Sequence, residues 1–303
     1  MRPLVPLLLL LGAVGCSGGE PRGGDEAAPS ATTGAAAPDQ GLHIVAQSGD
    51  TLRLTAPPRR IVALIPAINE ILIDLGAADR LAGRTRYDSA PEVMALPSVG
   101  EGLGPDMEAL LALEPDLVIR FGGPTDTETP AQLDRLGIPH LAVRPDRIED
   151  IRHLHLILGE LTGQERRADD LVAGLDATLD SVARSVAALP SATVSYLLGA
   201  DPPWAAGPQT YIGELVALAG GQLRPENLPP LYTQLSPEAL LAADVEVILV
   251  SGDGTLDARL AEGRRVEEVP QWVEIPGPDL RRAAWFIARL IHPELGATRG
   301  DPE

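Results

Sequence analysis

Residues 163–189, GQERRADDLVAGLDATLDSVARSVAAL, decide how the rest of the chain is read. Ala168, Leu171, Val172, Leu175, Leu179, Val182, Val186 and Leu189 recur at steps of three or four, which places them on one stripe of a helix. Glu165, Arg166, Asp169, Asp170, Asp176, Asp180 and Arg184 cover much of the remaining surface. Thr162 followed by Glu165 has the form of a capping box, and Pro190 supplies a stop. At 1.5 Å per residue such a helix is roughly 40 Å long. On both sides of it the sequence reads as short strands alternating with shorter helices. The expected architecture is α/β: two similar Rossmann-like lobes joined by one long backbone helix, with a cleft between them.

Before the helix, Leu42–Ala46 and Thr51–Thr55 flank Gln47-Ser48-Gly49-Asp50 and predict a β-hairpin. Strands are expected at 61–65, 81–83, 117–120 and 140–143, with helices at 68–75, 106–113, 129–136 and 148–161. Beyond the helix, strands are expected at 193–198, 245–250 and 272–275, and helices at 211–219, 237–243, 256–261 and 280–292. This alternation predicts parallel sheets with helices on their faces. Two internal echoes support similar lobes. Residues 106–123 match 236–253 without a gap around a shared Glu-Ala-Leu-Leu-Ala, and Glu70-Ile-Leu-Ile-Asp-Leu-Gly resembles Glu214-Leu-Val-Ala-Leu-Ala-Gly.

The N-terminus reads differently. Arg2 precedes the apolar run Pro3 to Leu11, which is too short to span a bilayer and has the build of a secretory signal. Ala13-Val-Gly-Cys16 resembles a bacterial lipobox, although Leu is more usual where Ala13 stands. Cys16, the sole cysteine, is expected to carry lipid, and no internal disulfide can form. Residues 17–41 contain almost no large apolar side chain and predict a flexible tether. The expected division is therefore a signal peptide at 1–15, lipidated Cys16 and linker at 16–41, a first lobe at 42–161, the backbone helix at 162–189 and a second lobe at 190–298.

The 303 residues carry a formal net charge of −19, and all 24 basic side chains are arginine. That balance argues against a nucleic-acid partner. No Gly-x-Ser-x-Gly elbow, phosphate loop or dinucleotide fingerprint occurs. The five histidines are His43, His140, His153, His155 and His292, and none falls in an expected cleft loop, which counts against a zinc-type cluster. His155 falls beside an apolar helix stripe and reads as a packed histidine. The reading is of a binding protein and not an enzyme.

In open α/β sheets, ligands sit outside the carboxyl ends of the strands. The scarce aromatics cluster there: Arg86-Tyr87, Phe121-Gly122-Gly123, Asp201-Pro-Pro-Trp204, Tyr211 and Tyr232. Rings on such loops suit a large, planar, partly apolar ligand. They equally suit plugs for their own lobes. Glu108 and Glu238 occupy matching positions in the repeat, each in the first turn of its helix. The helix dipole alone favours an acid there, and matching acids on two lobes also suit a two-fold partner.

From about Arg60 to Glu294 the chain resembles the periplasmic substrate-binding proteins of the iron-complex and cobalamin ABC importers. The motifs that carry the resemblance are Arg60-Ile-Val-Ala-Leu-Ile-Pro-Ala-Ile-Asn-Glu-Ile-Leu, Leu96-Pro-Ser-Val-Gly, Glu108-Ala-Leu-Leu-Ala-Leu-Glu-Pro-Asp-Leu-Val-Ile and Leu133-Asp-Arg-Leu-Gly-Ile-Pro. The resemblance implies two lobes on one backbone helix, a shallow ligand cleft and little lobe closure. It implies that Glu108 and Glu238 dock onto arginine pockets of a permease dimer, which works with an ATPase. It also implies ligand contacts from Tyr87, Arg86, Phe121, Trp204, Tyr211 and Tyr232. The expected cargo is a metal chelate. A cobalamin-like corrinoid stands first, with haem or a ferric siderophore as alternatives, and Tyr87 would be the axial group for haem. Where the family often has Gly-Pro-Arg, this chain has Gly277-Pro278-Asp279. The whole is expected to be a monomer, held at the cell envelope by its lipid and facing the periplasm or exterior.

Overall fold

The computed structural model describes residues 41–45, 51–199, 202–252 and 256–296. The expected signal peptide, Cys16, nearly all of the tether, the hairpin turn and Asp201 lie outside the described residues.

The first sheet grows from runs that are apolar on both faces. Strands β3 (Ile61–Ala63), β4 (Leu81–Gly83), β5 (Leu117–Phe121) and β6 (His140–Val143) pair in parallel in the order β4-β3-β5-β6. Alternation within each strand sends Ile61, Ala63, Leu117 and Ile119 to one core. There they meet α1 (Pro66–Asp74) and α4 (Ile148–Thr162). Val62, Leu64 and Val118 point the other way, to Leu110 of α2 (Met107–Ala112) and Leu133 of α3 (Glu128–Leu136). The hairpin of β1 (Leu42–Val45) and β2 (Thr51–Leu54) is antiparallel and adds Ile44, Leu52 and Leu54 to the first core.

The second sheet is built around β7 (Ala192–Leu198), which pairs in parallel with β11 (Val247–Ser251). On its other side β7 meets β9 (Gly221–Leu223) near its start and the antiparallel β8 (Trp204–Ala205) at its end. Strand β10 (Thr233–Gln234) lies beside β8, and β12 (Arg265–Val269) closes the far edge next to β11. Helices α6 (Tyr211–Leu218) and α9 (Leu280–Ile291) pack on one core, and α7 (Pro237–Ala242) and α8 (Ala258–Ala261) on another.

Helix α5 (Glu165–Val186) belongs to both halves. Its Ala168 and Leu171 lie in the first-lobe core, whereas Leu175, Leu179, Val182 and Val186 lie in that of the second lobe. Each large side chain buried on this stripe contributes about 1.5–3 kcal/mol. The 22 residues give a rod of about 33 Å. The expected capping box does not form. The Thr162 hydroxyl instead donates to the Leu158 carbonyl at 2.6 Å, and Gly163 at φ 71° ends α4. Helix α5 then starts at Glu165 without a side-chain cap and ends a turn before Leu189.

The internal echo is structural as well as sequential. Buried, half-buried and exposed positions from 104 to 119 follow the same order as those from 234 to 249. Asp106 caps α2 through the Ala109 amide at 3.0 Å, and Ser236 caps α7 through the Ala239 amide at 3.2 Å. Asp116 accepts the Arg59 and Arg60 amides at 2.8 and 2.9 Å, just as Glu246 accepts the Thr193 amide at 2.8 Å. In each half the acid fixes the entry of the neighbouring strand.

One strand expectation is corrected. Residues 272–275 do not form a strand: Gln271–Glu274 is a 3-10 turn, and the edge strand is β12. Strand β12 carries Arg265, Glu267 and Glu268, as suits an edge that is only half covered.

Candidate ligand cleft

Among the described residues the two lobes touch in at least two places. On one side, Glu214 of α6 accepts Arg147 Nε at 2.7 Å and the Ile148 amide at 2.8 Å, tying the start of α4 to the second lobe. The Tyr211 amide adds a bond to the Asp146 carbonyl at 2.5 Å. On the other side, the segment before α9 lies against α1: a Cβ on Gly277 would stand 3.3 Å from Glu70 Oε2 and 3.5 Å from the Ala67 carbonyl oxygen. Among the described residues no arginine is paired with Glu70 there. Burial, with Asp279 and Asp88 nearby, pushes its carboxyl up to about 7.

Between the lobes lies a cavity of about 280 Å³. Pro66, Tyr87 and Ser89 line it from the first lobe, and Gln271, Trp272, Glu274 and Ile275 from the second. The first wall is pinned from below. Buried Asp88 accepts the Thr85 amide at 2.7 Å, the Thr85 hydroxyl at 2.8 Å and Asn69 Nδ2 at 2.7 Å. Tyr87 stands on this loop 55% exposed, its phenol donating to Glu101. Arg86 is bound to the same Glu101 at 2.7 Å and lies 5.3 Å from the Tyr87 ring centre.

The opposite wall is the 3-10 turn. Trp272 meets the edge of Phe286 at 5.5 Å and carries the Arg282 guanidinium 4.1 Å from its ring centre. Half-buried Glu274 accepts the Ser251 hydroxyl at the end of β11. Burial raises the Glu274 carboxyl above its ordinary value. Behind it, burial also raises the phenols of Tyr196, Tyr211 and Tyr232, and the Glu274 charge raises them further. These phenols therefore stay neutral.

The residues expected at the site are placed unequally. Tyr87 lines the cavity with Arg86 beside it. Phe121, half-buried at the end of β5, packs against the first core with Arg144 5.0 Å from its ring centre. Trp204 is 46% exposed on β8 and does not line the inter-lobe cavity. Tyr232 is half-buried against the second core. Tyr211, expected as a loop ring, opens α6 with its ring 3% exposed and its hydroxyl donating to the Val273 carbonyl at 3.3 Å. Trp272 and Glu274 were hidden by the strand reading of 272–275, although a scarce tryptophan directly after Pro270-Gln271 was the available signal. Glu108 and Glu238 are both exposed in the first turns of α2 and α7.

A larger depression of about 730 Å³ lies on the first lobe beside α3. Its carboxylates are already engaged. Asp126 accepts the Thr129 amide at 3.0 Å, Asp150 the Arg147 amide at 2.9 Å and Asp146 the Arg144 guanidinium at 2.7 Å, while Asp134 bonds His140 at 3.1 Å. The smaller cavity is the one to which both lobes contribute rings. Among the described residues no group of three or more His, Cys, Asp or Glu side chains is arranged to hold a metal ion, and no helix is long and apolar enough to cross a membrane.

Comparison with known proteins agrees with this architecture. An ABC transporter substrate-binding lipoprotein of Bacillus subtilis, YvrC, is 24% identical over 266 residues, covering 82% of this chain and 84% of its own. A vitamin B12-binding protein of Photorhabdus laumondii is 25% identical over 200 residues, 66% of this chain and 73% of its own. The apo structure of a periplasmic heme-binding protein, RhuT from Roseiflexus sp. RS-1, superposes with a TM-score of 0.67 at 25% identity, covering 78% of this chain and 98% of that one. The periplasmic binding protein family matches residues 61–271. With most of its length matched, the chain belongs to the periplasmic binding protein family, the substrate-binding proteins of ABC importers, which are not enzymes.

Proposed function

We propose that the protein is a lipid-anchored receptor that captures a corrinoid in the inter-lobe cleft and delivers it to the permease of an ABC importer. The observation that carries this reading is the cavity shared by Tyr87 and Trp272, one ring from each lobe. At about 280 Å³ it admits the edge of a macrocycle rather than the whole, leaving the remainder to lie over exposed Tyr87. Affinity comes from ring contact and apolar burial, with the polar floor setting orientation. The domain limits expected from sequence, the lipid on Cys16, the tether and a monomeric state complete the proposal. Glu108 and Glu238, on structurally matching helices, are the permease contacts, where rim charges mainly steer and orient.

Haem is the second reading, favoured by the exposed phenol of Tyr87 next to Arg86. Against it, Arg86 is held by Glu101. Ferric siderophores need clustered positive charge, and Arg120 and Arg144 are bonded to His140 and Asp146. Titrating the mature protein with cyanocobalamin, haemin and ferric siderophores tests the reading. Corrinoid binding alone is the expected result, and haemin binding that is lost in Tyr87→Ala, without corrinoid binding, refutes it. Substituting Glu108 and Glu238 is expected to spare ligand affinity and impair transport.

A further inference from the structure

The floor of the cleft has an unusual charge pattern. Of the cavity-lining residues only Glu274 is charged, and no arginine lines it. The Ser251 hydroxyl occupies Glu274 Oε1. Among the described residues Oε2 has no hydrogen-bond partner. The groups that share its surroundings are neutral hydroxyls: Ser251, Tyr196, Tyr211 and Tyr232. Tyr196 is 1% exposed, and its hydroxyl has no hydrogen-bond partner among the described residues. The nearby cation Arg282 is stacked on Trp272, and Arg86 is held across the cleft by Glu101.

A desolvated carboxylate with an open lone pair gains from an N–H donor and is opposed by a second carboxylate. Macrocyclic metal chelates differ in this respect: corrinoids carry neutral primary carboxamide arms, whereas haem carries two carboxylates. We propose that Glu274 is the specificity-determining residue of the cleft, accepting the N–H of a carboxamide arm at Oε2 and rejecting ligands whose arm ends in carboxylate. Ser251 is the positioning residue, fixing the carboxylate so that Oε2 faces the cavity. This deepens the corrinoid reading and rests on it. Discrimination then comes from an unfavourable contact with the wrong ligand as much as from a favourable one with the right ligand.

The test compares cyanocobalamin with its monocarboxylic acids, in each of which one peripheral amide is hydrolysed. In the unaltered protein at least one isomer is expected to bind about tenfold more weakly than cyanocobalamin, since like charges brought together in a binding site are strongly unfavourable. Glu274→Gln keeps an oxygen for Ser251 and removes the charge. It is expected to weaken cyanocobalamin by about tenfold, because the carboxamide N–H loses its acceptor, and to close the gap to the acid isomer to within about threefold. The proposal is overturned if every isomer binds the unaltered protein as cyanocobalamin does, which needs no variant, or if the gap persists in Glu274→Gln. Binding of haemin with no corrinoid refutes the underlying function instead, a result read from the unaltered protein alone.

Discussion

Replacing Glu70 by Gln is expected to stabilise the protein at alkaline pH and to make it less sensitive to pH. Glu70 faces the segment before α9, with Asp279 and Asp88 nearby, and its carboxyl is pushed up to about 7 by burial first and by those two acids second. A carboxyl raised in the folded state favours folding while it is protonated. Its contribution is full below the unfolded value, about 4.3, and is lost as pH rises through about 7. Complete linkage for a shift of that size is about 3 kcal/mol, and because Glu70 is only half-buried, solvent screening lowers it to roughly 1–2 kcal/mol. Urea unfolding of the unaltered protein and of Glu70→Gln at pH 5 and pH 8 measures this. The variant should gain stability over the parent as pH rises, with the difference at pH 8 near the screened figure. Asp279→Arg supplies the missing cation and is expected to flatten the same profile. A stability difference that is equal at both pH values, or larger at pH 5, refutes the reasoning.

Two further outcomes follow from packing. Leu179→Ala, in the part of α5 buried in the second lobe, should cost about 2–5 kcal/mol in urea unfolding. Because α5 also supplies Leu171 to the first core, both lobes should still unfold in one transition, and two separate transitions would show that the helix does not couple them. Gly213→Ala should cost about 3 kcal/mol, since its Cβ would fall 2.1 Å from the Gly207 carbonyl oxygen, a backbone atom that cannot swing aside. A change below about 0.5 kcal/mol would mean that the loop at Gly207 yields easily.

Much of this fold is written in apolar periodicity. The run Leu117-Val-Ile is a buried strand and His140–Val143 alternates half-buried with buried positions; both form as the sequence suggests, with the helix between them ending at Gly137. The stripe from Ala168 to Val186 marks a helix that serves two cores, and the repeat around Glu108 and Glu238 reappears in burial and capping alike. What escaped was set by tertiary contacts. Strands β8, β9 and β10 have two or three residues each, too few for alternation to register, and they exist because β7 offers an open side. Strand β12 mixes valines with charges, the signature of an edge. Thr162 looked like a helix cap, yet its hydroxyl found the Leu158 carbonyl of its own helix first. The site followed the same rule. Tyr87 sits on a loop pinned by Asp88 and was legible, whereas Tyr211 looks like a loop ring and is drawn into the core. Trp272 reaches the cleft only because residues 271–274 coil into a 3-10 turn. The asymmetry of the lobe contacts was half visible: Asp279 stands out in the sequence, but the glutamate that faces it appears only once α1 and α9 are packed together.

Calorimetric titration of cyanocobalamin into the unaltered protein, Tyr87→Ala, Trp272→Ala and Ala131→Trp weighs the inter-lobe cleft against the larger depression beside α3. Removing either cleft ring should weaken binding by about tenfold, and filling the depression at Ala131 should leave it unchanged. Full affinity in both ring variants, together with loss in Ala131→Trp, would place the ligand in the first lobe alone and contradict the account.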